Sequence, residues 1–215
     1  MSGLIVTEIF HSIQGESSKA GLPCAFVRLT GCPLRCRWCD TAYSFQGGKA
    51  YTIEEICTEL GRFKTRLVEI TGGEPLSQKG SVDLMEALLA QGYAVLLETS
   101  GSEDISRVPK GVHVIMDIKC PGSKMHERNL WSNIPLLKPS DEVKFVIASR
   151  EDFDWALEKV QEWELEYRCD HLLFSPAWGL VNPQHLSEWL LESGVSGRLN
   201  LQLHKLIWGP RKRGV

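Results

Sequence analysis

The stretch Cys32-Pro-Leu-Arg-Cys36-Arg-Trp-Cys39-Asp-Thr41 decides how the rest of the chain is read. Its three cysteines stand in a C-x3-C-x2-C arrangement, directly after the apolar, strand-like run Cys24-Ala-Phe-Val-Arg-Leu-Thr30. Thiolates this close can turn toward one metal centre if the backbone loops around it. Four ligands would close a tetrahedral zinc site or complete a cubane, and this stretch supplies only three. Three thiolates on a four-iron cluster leave one iron open, and an open iron can hold a substrate or cosubstrate.

The competing reading is a zinc staple that recruits a fourth ligand such as His11 or His204. Zinc sites more often show two paired C-x2-C or H-x3-H halves, which this chain lacks. A disulfide framework fits less well, because seven cysteines is an odd number and Cys24, Cys57, Cys120 and Cys169 are scattered singly. These four read as small core residues.

The 215 residues, 43% apolar and 24% charged, suit one soluble domain, taken as residues 1–215, with a substantial core. A net charge of −3 gives no general affinity for nucleic acid. The apolar runs are strand-length, so no membrane span is expected. The start of the chain lacks a basic region followed by a long apolar segment, which argues against secretion. Reduced thiols and an oxygen-sensitive cluster both point to the cytoplasm.

Outward from the cysteines, strands alternate with helical patterns. Strands are expected at 4–10, 24–30, 67–71, 93–98, 112–118, 143–147, 171–175 and 199–203. Thr52-Ile-Glu-Glu55 is a capping box opening a helix to about Phe63. Further helices are expected over 82–91, 151–163 and from Pro183. Residues 103–110 are too short for a crossover helix and are broken by Pro109. Residues 122–141 read as a loop with one short helix. No internal repeat or linker is visible.

Polar or glycine-rich groups recur just past the strand ends: Cys32, Gly72, Thr99, Lys119, Ser175 and His204. In a parallel α/β sheet those positions share the C-terminal rim, where sites assemble. The helices are too few for eight complete units. The expected fold is therefore a shortened, partial (βα) TIM-like barrel, open on one side, in preference to a doubly wound sheet. Glu16 reads from its surroundings as a solvated turn residue. Arg28, inside an apolar strand, is snorkelling, paired internally, or facing a cavity that receives an anion.

Taken together, Phe10-His-Ser-Ile-Gln-Gly-Glu16, Phe26-Val-Arg-Leu29, the Gly31–Thr41 stretch, Ile70-Thr-Gly-Gly-Glu-Pro75, Glu98-Thr-Ser-Gly101 and Leu203-His-Lys205 resemble the 7-carboxy-7-deazaguanine synthases. These are radical S-adenosylmethionine enzymes of queuosine and deazapurine biosynthesis. The resemblance covers nearly the whole chain. It implies conversion of 6-carboxy-5,6,7,8-tetrahydropterin to 7-carboxy-7-deazaguanine with loss of ammonia, in a homodimer served by a low-potential electron donor such as flavodoxin.

The resemblance also assigns residues. Cys32, Cys36 and Cys39 would hold a [4Fe–4S] cluster. Trp38, Cys39, Asp40, Gly73, Glu74, Gly101, Asp117, Ile118, Lys119, Ser175, Pro176, Ala177 and Trp178 would line the S-adenosylmethionine site. Ile13, Gln14, Gly15, Glu16, Arg28, Thr99 and His204 would meet the substrate. Thr41, with Asp40 beside it, would take Mg²⁺, since a hard cation prefers oxygen donors to thiolates. No side chain is assigned as the catalyst, because the adenosyl radical carries the chemistry.

The chain departs from the family pattern in three places. Some members have a longer insertion between the first two cysteines. Others end soon after the His-Lys pair, so no role is carried to residues 206–215. Asp117-Ile-Lys119 stands where other members have Ser-Pro-Lys, and Ser175 replaces a common Gln. Two other functions compete: a glycyl-radical-enzyme activase, and a non-catalytic module stapled by zinc or a cluster.

Overall fold

The structure, a computed structural model, describes residues 3–215. Its strands are β1 (Leu4–Ile13), β2 (Pro23–Leu29), β3 (Lys49–Tyr51), β4 (Leu67–Gly72), β5 (Ala94–Thr99), β6 (His113–Ile118), β7 (Glu142–Ile147), β8 (His171–Pro176) and β9 (Gly197–Leu199). Its helices are α1 (Ile53–Leu60), α2 (Gly80–Ala90), α3 (Arg150–Glu162), α4 (Leu165–Arg168), α5 (Pro183–Ser193) and α6 (Leu203–Trp208). The strands form one sheet in the order β3-β1-β2-β4-β5-β6-β7-β8-β9. β1 is antiparallel to both its neighbours, and every pairing from β2 to β9 is parallel.

This order separates a barrel from a doubly wound sheet. From β4 onward each new strand is added on the same side of the last, with no reversal. Crossovers of one hand then lie on one face, and the twisted sheet curls around the other. Among the described residues the edges β3 and β9 do not pair with each other, so the barrel is partial and open, as the sequence predicts.

Alternation along the strands sorts their side chains. Val27, Leu29, Val68, Ile70, Val95, Leu97, Val114, Met116, Val143, Phe145 and Phe174 point outward into one buried cluster. Ile56, Leu60, Leu84, Met85, Leu88, Phe153, Ala156 and Leu186 meet them there from the helices. A smaller buried group, Leu96, Ile115 and Leu173, lies on the opposite face and floors the interior.

The capping box of α1 is present, with Thr52 Oγ1 accepting from Glu55 N at 3.2 Å. No helix joins β5 to β6, as expected. Three sequence readings need correction. Strand β3, which pairs with the start of β1, was not anticipated. Residues 122–141 hold three short 3-10 segments where one helix was expected. Trp131, at the start of the longest, anchors it by stacking on Trp163 at the end of α3, centroids 5.5 Å apart.

The third correction concerns the expected strand over Leu199–Leu203. Pairing stops at Leu199, and Leu203 opens α6. Asn200 ends the strand: its N–H donates to Phe174 O, and its buried amide donates to Ser175 Oγ at 2.8 Å. Leu203 N then donates to Gly15 O, which turns the chain across the barrel mouth.

Candidate functional site

The inward faces of the strands and the rim loops enclose a cavity of about 800 Å³. The cysteine loop leaves β2 and passes over the end of β4. Gly73 N and Glu74 N donate to Leu29 O and Gly31 O, at 3.1 and 2.8 Å. A Cβ on Gly73 would collide with the Gly31 carbonyl, and Gly72 sits at φ +144° against Leu29. The glycine pair therefore lets the cysteine loop lie flat on the sheet rim.

Cys32, Cys36 and Cys39 all line the cavity, unpaired and half-buried. Burial raises the thiol pKa of Cys32 and Cys36, while Lys119 works in the opposite direction on both. Arg35 ties the loop to itself, donating to Cys32 O at 2.7 Å and Leu34 O at 2.6 Å, with its guanidinium 4.2 Å from the Phe45 ring centroid. His11, weighed as a zinc ligand, stacks on Phe63 and is not on the cavity wall. Among the described residues no three of His, Cys, Asp or Glu gather around a single-ion site.

Three soft donors on one short loop fit three corners of an iron–sulfur cluster. Beside them Asp117 pairs with Lys119 at 2.9 Å, and its second oxygen, Oδ1, is buried with no hydrogen-bond partner among the described residues. An orphaned acceptor on a cavity wall fits a ligand that brings its own donor.

Most of the predicted site residues converge here. Trp38, Asp40, Thr41, Gly73, Asp117, Lys119, Ser175, Pro176, Ala177 and Trp178 line the cavity, as do Ile13, Gln14, Gly15, Glu16, Arg28, Thr99 and His204. Glu74, Gly101 and Ile118 do not. Ile118 is buried in the outer core. Glu74 is fully buried and accepts from Leu76 N, Thr99 Oγ1, Ser100 N and Ser100 Oγ. Its carboxylate ties the β4 turn to the end of β5. Gly101, at φ +70°, packs against Met116 and lets that turn form.

Glu16 is not solvated, contrary to the reading of its turn. Lys144 lies 3.0 Å from it and also pairs with Glu98 and with Asp117. Burial alone would raise the Glu16 pKa, but Lys144 and then Gln202 hold it down at about 2. Arg28 is paired internally and also faces the cavity. Its Nε donates to Glu8 at 2.7 Å, Tyr43 OH donates to the same oxygen, its guanidinium lies over the Phe10 and Tyr43 rings, and its terminal nitrogens have no hydrogen-bond partner among the described residues. Asp40 is held by Lys205 at 2.5 Å, and His204 packs so closely on Gly15 that a Cβ there would strike its Nδ1. Residues 210–215 also run along the wall, with the Arg213 guanidinium 4.0 Å from the Tyr43 ring centroid.

The sequence reading missed Phe10, Phe26, Tyr43, Glu69, Glu98, Lys144, Gln202 and Lys205 as cavity residues. A signal was available for three of them. Glu69, Glu98 and Lys144 are single charges inside apolar strands, the same feature that drew attention to Arg28.

Residues 26–164 match the profile of the Radical SAM superfamily. The 7-carboxy-7-deazaguanine synthase of Koribacter versatilis is 46% identical over 224 residues, covering 98% of this chain and 99% of that protein. That of Chlorobaculum tepidum is 45% identical over 215 residues, covering 99% and 97%. Among solved structures, QueE from Escherichia coli superposes with a TM-score of 0.73 at 24% identity, over 93% of this chain and 94% of that one, a likeness of fold.

Proposed function

The chain belongs to the radical SAM superfamily and, within it, to the 7-carboxy-7-deazaguanine synthase family, and from that premise we propose how its cavity is used. The enzyme converts 6-carboxy-5,6,7,8-tetrahydropterin to 7-carboxy-7-deazaguanine with loss of ammonia, using a [4Fe–4S] cluster and S-adenosylmethionine. When bound, that pair supplies reductive cleavage and a carbon radical able to take a hydrogen atom from the substrate.

The remaining work falls to the chain's own side chains. Cys32, Cys36 and Cys39 hold the cluster, and the Arg35 and Gly72–Gly73 contacts keep their loop on the rim. Asp117 Oδ1, Lys119 and the 175–178 turn would receive the polar parts of S-adenosylmethionine, with Trp38 lining the same site. The terminal nitrogens of Arg28 take the substrate carboxylate as a fork. Ile13, Gln14, Gly15, Glu16, Thr99 and His204 fix the ring, and orientation decides which hydrogen is presented. Thr41 and Asp40 would hold Mg²⁺ through their oxygens, which suit a hard cation better than the nearby thiolates. The chain works as one domain in a homodimer, in the cytoplasm, with a low-potential donor such as flavodoxin. Among the described residues no helix is long and apolar enough to cross a membrane.

One observation carries this reading: the three cysteines share a single cavity with Arg28, Gln14 and His204. A glycyl-radical activase would have to admit a polypeptide there, and the charged groups and tail that line the wall suit a small anion better. The test is an anaerobic assay of the reconstituted enzyme with the carboxy-pterin and S-adenosylmethionine. Formation of carboxy-deazaguanine supports the reading. Cofactor cleavage without that product would point to the activase, and no cleavage to a non-catalytic module.

A further inference from the structure

Charged side chains in the barrel interior nearly all have a partner of opposite sign. Glu16 and Glu98 share Lys144, Asp117 takes Lys119, and Asp40 takes Lys205. Glu69 is different. It projects inward from the middle of β4, only 4% exposed, on the cavity wall. Its one hydrogen bond among the described residues is from Gln14 Nε2 to Oε2, and no cation lies within salt-bridge distance of it. Burial, then the charge of Glu98, push its carboxyl well above the ordinary range, a penalty that N–H donors from a ligand would offset.

The surroundings of Glu69 give the shape of that ligand. In register across β2 and β4, Phe26 stands beside Glu69, and Arg28 beside Thr71, one inward step nearer the mouth. Phe26 is stacked on Phe10, centroids 4.8 Å apart and planes 8° from parallel, and both rings line the cavity. Two inward-facing positions on a strand are about 6.6 Å apart. A carboxyl with spare acceptor capacity, an aromatic wall and a guanidinium at that spacing form a slot for a flat fused ring with N–H groups at its inner end and an anion at its outer end.

Building on the functional reading above, we infer that Glu69, steadied by Gln14, is the specificity residue that accepts from the 2-amino and ring N–H edge of the substrate's pyrimidinone. The Gln14 amide is fixed for this task, since its Oε1 accepts from Glu16 N at 3.1 Å while its Nε2 holds Glu69.

The probes are pterin-6-carboxylic acid and lumazine-6-carboxylic acid, which differ at position 2, amino against oxo. Their binding is measured calorimetrically to the cluster-loaded enzyme with S-adenosylmethionine under anaerobic conditions. The wild type should prefer the pterin by about 10- to 100-fold, the range for a hydrogen bond to a charged group. Glu69→Leu should abolish most of that preference. Glu69→Gln, which keeps the shape and hence the packing, should reduce it. Cluster content, read as iron and sulfide per chain, should be unchanged in both. A preference that survives in both variants, or a wild type that does not discriminate, overturns the role of Glu69. A wild type that binds neither probe while still cleaving the cofactor overturns the pterin reading itself, and this inference with it.

Discussion

The ammonium of Lys144 lies 3.0 Å from the Glu16 carboxylate although 128 residues separate them, and it also binds Glu98. The pair joins the loop after β1 to the centre of β7, across the barrel interior. Removing one partner of a buried ion pair costs about 3–5 kcal/mol. Lys144→Met, which leaves Glu16, Glu98 and Asp117 without their shared cation, should lower stability by that order in urea unfolding at neutral pH, and Glu16→Gln, which leaves Lys144 paired with Glu98 and Asp117, should lower it by less. Glu16 is held at a pKa of about 2 in the fold, against an ordinary 4.5. Its pairing therefore stabilises fully above about pH 4.5 and is lost as the pH falls toward 2. Glu69 and Glu98, whose pKa values are raised, work in the opposite direction. Glu16→Gln should flatten the acid limb of the stability curve; an unchanged limb would mean that the pair carries no linkage.

Alanine at Cys32, Cys36 or Cys39 should remove the site-differentiated cluster and all cofactor cleavage, read as iron and sulfide per chain and as methionine released. Cys57 packs on the outer core from α1, away from the cavity. Cys57→Ala should keep both signals. Cluster loss there with retention in Cys36→Ala would refute the ligand assignment.

Arg28→Ala should keep the cluster and S-adenosylmethionine binding but lose pterin affinity by about 10- to 100-fold, the measure of a charge-assisted hydrogen bond. Lysine should rescue only in part, since a point charge cannot reproduce the fork or span Glu8 and the substrate together. Binding calorimetry paired with anaerobic turnover tests this. Unchanged values in the alanine variant would make Arg28 solely the partner of Glu8.

Stripping Mg²⁺ should depress product formation far more than cluster content or cofactor binding, because the proposed donors are the oxygens of Thr41 and Asp40. Asp40→Asn should weaken the response to added Mg²⁺. Full activity in a preparation shown metal-free by elemental analysis would remove the ion from the mechanism.

Much of this protein is legible in its sequence because the relevant signals are short-range. Cysteine spacing is fixed by covalent geometry, and the capping box at Thr52 and the proline at the start of α5 act within one turn. Strand alternation and the recurrence of polar groups after strand ends, together with too few helices for eight units, point to an open barrel and its rim. Tertiary structure alone decided which groups meet inside. The contact of Lys144 with all three of Glu16, Glu98 and Asp117 depends on sheet curvature that brings distant strands together. The buried Asn200 ends β9 through contacts to β8, so residues that alternate like a strand become the turn and helix carrying His204 and Lys205. Glu74 is buried against Thr99 and Ser100 because the end of β5 lies beside it, a neighbour its local motif does not encode. Local chemistry specified the elements and the cluster loop; the curl of the open sheet, which brings together residues a hundred or more positions apart, specified the cavity.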